Sequence, residues 1–148
     1  MDLDLIALNV EAEDPKSVIR ELGTRMLAKN YVKDTYIDAV LERESKLPTG
    51  LDLGEFCVAI PHTNTEHVNI SNFAIGILKN PVEFHSMSEP TKTLKIGLVF
   101  LLAVKDPASQ VGLLGNLMKI FQNVELMKNI RNATTKKEVD NLLDFIKV

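Results

Sequence analysis

One histidine of the sequence stands where its side chain could take part in chemistry. His62 follows the apolar run 56–60 and Pro61. Because proline fixes its own φ and has no N–H for a strand ladder, the strand should end there and leave the imidazole where a partner can reach it. With an ordinary pKa of about 6.5, most of this side chain is neutral at about pH 7 and can act as a nucleophile or base. The alternative is a histidine that only caps a turn.

Cysteine and the remaining histidines raise the question of a metal site. Zinc favours Cys and His ligands, so Cys57, His62 and His67 could be taken as a zinc site. Cys57 and His62 are an odd number of residues apart, so along one strand they would point to opposite faces, and no fourth ligand is evident. The sequence therefore predicts no metal, a small core residue at Cys57 and a surface position for His85.

The helices that must position these side chains are marked by apolar residues at helical spacing. Asp14 and Asp106 each precede a proline, which supplies an N-cap followed by a residue suited to the first helical position. The last helix is capped by Thr134 or Thr135. The predicted helices cover 15–29, 34–44, 107–121, 124–130 and 139–146.

Strands are predicted between these helices. Short apolar runs bounded by Gly, Pro, Asn or Asp are typical of strands buried on both faces. The sequence has such runs at 56–60, 73–78 and 98–104, while 47–50 should be a loop. Helices at both ends with strands between them indicate one layered α/β domain over 1–148.

Composition excludes several classes of protein. With 148 residues, 45% hydrophobic and 25% charged, the chain matches an ordinary globular domain. The longest apolar stretch, 96–104, is far shorter than the ~20 residues of a membrane span. The acidic start, Asp2 and Asp4, does not resemble an export signal, so a cytoplasmic location is expected. The net charge of −3, without tryptophan or a basic cluster, argues against nucleic acid as a partner.

Three segments together resemble the active-site pattern of a known family. They are Leu41-Glu42-Arg43-Glu44, Pro48-Thr49-Gly50-Leu51 and Val58-Ala59-Ile60-Pro61-His62. This order resembles the enzyme IIA domains of the fructose/mannitol/galactitol class, from the bacterial phosphotransferase system of sugar uptake. The resemblance runs from about Leu5 to the end of the chain. It implies the mannitol/fructose-type IIA fold, a central mixed sheet of about five strands flanked by helices on both faces.

The resemblance also implies a reaction and its partners. His62 would accept a phosphoryl group, on Nε2, from the phosphocarrier HPr and pass it to a cysteine of enzyme IIB, and so serve a membrane IIC component indirectly. Arg43 would stabilise the phosphoryl oxygens, with the Thr49 hydroxyl or the Gly50 amide as neutral donors. Such transfer depends on positioning and charge stabilisation, so no cofactor and no metal are expected. The alternative for Arg43 is a surface ion pair with a neighbouring glutamate.

Two further positions bear on the subclass. Mannitol- and fructose-type members place a second histidine where this chain has Ala108, whereas galactitol-type members commonly lack it, so the resemblance favours the galactitol type. Ser109, Gln110 and the amides of that helix N-terminus are the local substitutes for binding an anion. His67 would have a supporting role by resemblance to the galactitol type, the alternative being a solvated loop histidine.

The sequence leaves two hypotheses for function. The first is a phosphohistidine carrier that serves a galactitol-like permease. The second is a regulatory or binding module of the same fold, whose phosphorylation state controls a partner. Regulators of this kind are often fused to other domains, so a chain of 148 residues favours transport. The sugar cannot be inferred, because the membrane component binds it.

Overall fold

The computed structural model describes residues 1–146, which form one five-stranded sheet and five α-helices. Single 3-10 turns cover Leu3–Leu5 and Thr65–His67. In chain order the elements are β1 (Ile6–Val10), α1 (Pro15–Ala28), α2 (Tyr36–Lys46), β2 (Gly50–Asp52), β3 (Cys57–Ala59), β4 (Asn72–His85), β5 (Thr93–Ala103), α3 (Pro107–Phe121), α4 (Val124–Asn132) and α5 (Lys136–Leu143).

The sheet is mixed, as the resemblance implies. Its strand order is β1-β4-β5-β3-β2. The pairs β1–β4 and β3–β5 are parallel, whereas β4–β5 and β2–β3 are antiparallel. β3 therefore lies between β5 and the short strand β2, and the segment that follows β3 is the one that carries His62.

Helices cover both faces of the sheet. Leu22 of α1 and Val40 of α2 are fully buried against one face, and Leu117 of α3 and Met127 of α4 are fully buried against the other. Alternate residues of the central strands supply the two clusters, since successive side chains of a strand point to opposite faces. This confirms the predicted α/β class with helices on both faces. None of the helices within residues 1–146 has the length and apolar character needed to cross a membrane.

The helix starts follow the predicted caps. Asp14 accepts a hydrogen bond from the Ser17 N–H at 2.8 Å, and Asp106 accepts one from the Ser109 N–H at 2.9 Å. Thr135, and not Thr134, caps α5. The predicted range 139–146 is therefore wrong at both ends, because α5 begins directly after this cap at Lys136 and ends at Leu143. The helix predicted over 34–44 is displaced to Tyr36–Lys46.

The strands depart further from the sequence prediction. β1 was not predicted, and it contains an irregularity at Asn9, whose φ of 52° interrupts the strand pattern. β2 begins at Gly50, inside the predicted loop. It was not predicted because three residues are too few to show a periodicity. β4 continues past the predicted end at Leu78 to His85, through a register shift between Ile77 and Val82.

Candidate functional site

The segment that carries His62 is held by strands on both sides. The Ile60 N–H donates to the Thr49 carbonyl at 3.3 Å, which continues the ladder toward β2. On the other side, the Leu102 N–H of β5 donates to the Pro61 carbonyl at 3.0 Å. Since Pro61 has no N–H, the ladder stops here. The chain leaves the sheet at His62, as the proline–histidine pair predicts.

The imidazole of His62 is oriented by its own segment. Nδ1 lies 2.8 Å from the Ile60 carbonyl oxygen. A carbonyl can only accept a hydrogen bond, so this contact assigns the proton to Nδ1 and leaves the lone pair of the neutral ring on Nε2. Burial lowers the pKa of His62, the Arg43 guanidinium lowers it further, and the bond to Ile60 acts in the opposite direction. The ring is therefore neutral, with Nε2 as its nucleophilic atom, near neutral pH.

His62 faces a cavity of about 480 Å³. The polar part of its lining comes from Arg43, Lys46 and Thr49, at the end of α2 and in the segment that follows it. The rest of the lining, apart from His62 itself, is apolar and comes from four separate parts of the chain. These residues are Leu47, Pro48, Ile60, Met87, Pro90, Leu114 and Met118.

In the part of the chain that the structure describes, Arg43 has a donor without a partner at the cavity that His62 faces. It lies in the last turn of α2 and lines the same cavity as His62. Its Nε is buried without a hydrogen-bond partner within residues 1–146. Glu42 pairs with Lys46 at 2.9 Å, and Glu44 binds Thr49, so the alternative of a surface ion pair is not what this structure contains. A cation and a neutral nitrogen nucleophile thus share one cavity, which suits attack on an anionic electrophile.

Thr49 lines the cavity, but its donors are already used. Its hydroxyl donates to Glu44 Oε1 at 2.6 Å, and its backbone N–H donates to Glu44 Oε2 at 2.9 Å. The neighbouring Gly50 makes a bridge to Ser86 and accepts from the Met87 N–H at 2.8 Å. A Cβ at Gly50 would lie 2.6 Å from the His85 carbonyl oxygen, so this close approach requires glycine.

The other predicted site residues lie outside the lining of this cavity. His67 Nδ1 is 2.7 Å from the Thr35 hydroxyl, and its Nε2 is 3.8 Å from Glu66. The Ser109 hydroxyl donates to Asp106 at 2.8 Å as part of the helix cap. Gln110 is likewise in the first turn of α3, whereas α3 reaches the cavity through Leu114 and Met118, further along the helix. The cavity therefore brings together His62, Arg43 and Thr49 but not Gly50, His67, Ser109 or Gln110.

His85 has the surface position that the sequence predicts, whereas Cys57 lies at the edge of the core and is only partly buried. Cys57 packs partly buried against the cluster beneath α1 and α2, and burial raises the pKa of its thiol, the opposite of what a nucleophilic thiolate needs. His85 is exposed, and its Nδ1 donates to the Pro90 carbonyl at 2.9 Å. Among residues 1–146, no three His, Cys, Asp or Glu side chains are grouped as metal ligands would be.

Two parts of the site have no signal in the sequence that would predict them. Glu44 belongs to the motif that carries the resemblance, but only its contacts show that it binds Thr49. The apolar rim comes from distant segments, and Leu47, Met87 and Met118 are 56%, 43% and 42% exposed. No local pattern brings the β4–β5 connection beside the end of α2, so the rim could not be predicted.

Comparison with known families gives one match over almost the whole chain. Residues 1–145 match the model of the family described as phosphoenolpyruvate-dependent sugar phosphotransferase system, EIIA 2. The galactitol-specific EIIA component of Escherichia coli (strain K12) is 33% identical over 119 residues, which cover 79% of this chain and 77% of that protein.

Two further similarities concern a regulator and a solved complex. A segment of the transcriptional regulator ManR of Bacillus subtilis (strain 168) is 36% identical over 101 residues, which are 68% of this chain but 14% of ManR. A complex of enzyme IIAMTL and phosphorylated enzyme IIBMTL from Escherichia coli matches with a TM-score of 0.79 at 22% identity, covering 97% of this chain and 96% of that one. This likeness confirms the mannitol-type IIA fold.

Proposed function

Since the chain belongs to the EIIA 2 family of the phosphoenolpyruvate-dependent sugar phosphotransferase system, we propose that it is a phosphocarrier whose acceptor atom is Nε2 of His62. The observation that carries the proposal is the hydrogen bond from Nδ1 to the Ile60 carbonyl, which leaves the lone pair on Nε2. Arg43 lines the same cavity and its Nε has no hydrogen-bond partner within residues 1–146, so we assign its guanidinium to the phosphoryl oxygens.

The proposed reaction has two steps. In the first, the Nε2 lone pair forms a bond to phosphorus while the bond between phosphorus and the donor breaks. Nδ1 keeps its proton and its bond to Ile60. In the second, a cysteine sulfur of the acceptor forms a bond to phosphorus, and the electron pair of the P–N bond returns to Nε2. Loose transition states of this kind depend mainly on alignment and on neutralising the oxygens, which His62 and Arg43 supply without a cofactor.

HPr is the proposed donor and enzyme IIB the proposed acceptor. The IIB assignment is supported by the similar IIA chain that was solved with phosphorylated enzyme IIBMTL. HPr follows from the family resemblance, as does a membrane IIC component that is served indirectly. Exchange with these partners requires the carrier to be in the cytoplasm. A galactitol-like sugar or polyol is proposed on the similarity to the galactitol-specific component.

A regulatory module is the second candidate function. The segment that matches ManR is part of a much longer transcriptional regulator. In such a role the same phosphorylation of His62 would alter the binding of a partner and would not feed sugar uptake. The two candidates differ in the fate of the phosphoryl group, which moves on to IIB in the first and stays on the chain in the second.

A transfer assay tests the proposed function. The full chain is incubated with phosphoenolpyruvate, enzyme I and HPr, and then with a galactitol-type IIB component. The proposal expects one acid-labile phosphoryl group per chain, its passage to IIB, and no labelling of His62→Ala, whereas His85→Ala is labelled normally. Labelling without passage to IIB would favour the regulatory candidate. Labelling of folded His62→Ala would refute the carrier site.

A further inference from the structure

Glu44 is a partly buried acid that the transfer chemistry does not use. It lies in the last turn of α2, and both of its carboxylate oxygens accept hydrogen bonds from the same residue, Thr49. Burial raises the pKa of Glu44, the expected effect of removing a carboxylate from water. A buried carboxylate is costly unless its oxygens are satisfied, and here two donors of Thr49 satisfy them. The contact therefore joins the end of α2 firmly to the start of β2.

Thr49 connects this contact to the candidate nucleophile. The Thr49 carbonyl accepts from the Ile60 N–H at 3.3 Å, and the Ile60 carbonyl accepts from His62 Nδ1 at 2.8 Å. Ile60 is thus held through its N–H and holds the imidazole through its carbonyl. A displacement of Thr49 moves the one acceptor that determines which nitrogen of His62 carries the proton.

The start of α2 makes a second connection to the same segment. The buried Tyr36 hydroxyl donates to the Leu102 carbonyl at 2.6 Å, and the Leu102 N–H donates to the Pro61 carbonyl at 3.0 Å. Tyr36 therefore holds the β5 side, while Glu44 holds the β2 side. Only the connection through Glu44 leads to the Ile60 carbonyl that binds the His62 ring. The end of α2 therefore affects the orientation of the ring, whereas the start of α2 holds the neighbouring strand.

We propose that Glu44 is a positioning residue, which holds Thr49 and Ile60 so that His62 keeps its proton on Nδ1 and its lone pair on Nε2. The proposal rests on the proposed function in taking His62 as the phosphoryl acceptor. Without the Ile60 carbonyl in place, a neutral imidazole exchanges its proton between both nitrogens, and the form protonated on Nε2 cannot attack phosphorus through that atom. Thr49 then acts through its contact with Glu44, and its hydroxyl is not a phosphate ligand.

The test uses the full chain labelled with ¹⁵N-histidine. Glu44→Gln keeps the size of the side chain but has only one acceptor oxygen for the two Thr49 donors. Glu42→Gln is the matched control, because it removes the same charge from an exposed position of the same helix. Thr49→Val removes the hydroxyl donor while leaving Glu44 in place, and Thr49→Ser restores that donor.

Ring ¹⁵N shifts recorded at about pH 8, where His62 is neutral, report the tautomer. We expect the protonated Nδ1 form in the wild type, Glu42→Gln and Thr49→Ser, and a mixture of both forms in Glu44→Gln and Thr49→Val. At saturating HPr, the rate of phosphoryl acceptance should fall roughly five- to a hundredfold in the latter two, since even a 1 Å misplacement of a reacting group can cost about a hundredfold. The KM for HPr should not change.

Two results would overturn the inference. One is a His62 that stays fully protonated on Nδ1 in folded Glu44→Gln and Thr49→Val. The other is a rate in these variants equal to that of Glu42→Gln. If Glu44→Gln does not fold, Thr49→Val alone decides. The proposed function would fail separately if the wild-type chain accepted no phosphoryl group. If Glu44→Gln and Thr49→Val then still changed the tautomer of His62 as expected, the positioning role of Glu44 would stand.

Discussion

A neutral imidazole beside a guanidinium is the pairing on which the chemistry of this site depends. Arg43 contributes twice, because its charge disfavours the protonated form of His62 and its planar guanidinium suits the oxygens of an anion. Burial is the larger cause of the lowered pKa of His62. The same surroundings therefore keep Nε2 of His62 free of a proton and favour the binding of negative charge.

The pH dependence of phosphoryl acceptance follows from this pairing. Only the neutral ring can attack, so the rate should rise with pH through the pKa of His62 and then become constant. Because that pKa is lowered, the midpoint should lie below the ordinary value of about 6.5. Arg43→Gln removes a cause of the lowering, so its midpoint should move to higher pH. NMR titration of the His62 ring checks both values, and a midpoint in Arg43→Gln at or below the wild-type value would contradict the account.

Arg43→Lys tests whether the fork of donors matters as well as the charge. A lysine ammonium keeps the charge but cannot meet two phosphoryl oxygens with parallel donors. We expect the rate of phosphoryl acceptance to fall about tenfold, which corresponds to about 1.4 kcal/mol of transition-state stabilisation. Rapid-quench kinetics measure the rate, with Arg20→Lys on the exposed face of α1 as the control. A wild-type rate in folded Arg43→Lys would show that only the positive charge of Arg43 matters and that its paired donors do not.

At the scale of elements, α2 contributes more to the site than α3. α2 supplies Arg43 to the cavity and Glu44 to Thr49, while α3 lines the cavity with Leu114 and Met118. The sequence predicts an anion site at the N-terminus of α3, but that first turn does not line the cavity. The dipole of a helix acts mainly within its first and last turns, so its effect on His62 should be small.

Ala108→His tests this smaller role of α3. Ala108 is exposed in the first turn of α3, outside the lining of the cavity. A histidine placed there should leave the rate of phosphoryl acceptance within about tenfold of the wild type, a change of less than about 1.4 kcal/mol in the barrier. The measurement is the same rapid-quench assay. A larger gain would mean that the first turn of α3 reaches the transferred group after all.

Across the whole molecule, a structural feature could be predicted from the sequence where neighbouring residues determine it. The caps at Asp14 and Asp106 and the strand end at Pro61 are local, and they could be read from the sequence. The pairing of Gly50 with Ser86 joins distant segments and left no local pattern, while β2 pairs with the nearby β3 but is only three residues long. The same holds for the site, where His62 and Arg43 were predicted but the use of the Thr49 donors by Glu44 was not.

Metal removal tests whether the fold as a whole forms a metal site, because the ligands of such a site would have to come from several elements. The described residues 1–146 bring no three potential ligands together, and the transfer chemistry proposed for His62 and Arg43 requires none. Treatment of the chain with EDTA should therefore leave phosphoryl acceptance unchanged. Enzyme I is not exposed to EDTA and is kept in its own buffer. Loss of acceptance, or one zinc ion per purified chain, would restore Cys57, His62 and His67 as a metal site.

The proposed carrier role of His62 is tested most directly by identifying the atom that carries the phosphoryl group. The chain is labelled with ¹⁵N-histidine, phosphorylated through HPr, and examined by NMR for coupling between phosphorus and a ring nitrogen. We expect one coupling, to Nε2 of His62, because Nδ1 is held by the Ile60 carbonyl. Coupling to Nδ1 of His62, or to either nitrogen of His67 or His85, would contradict it.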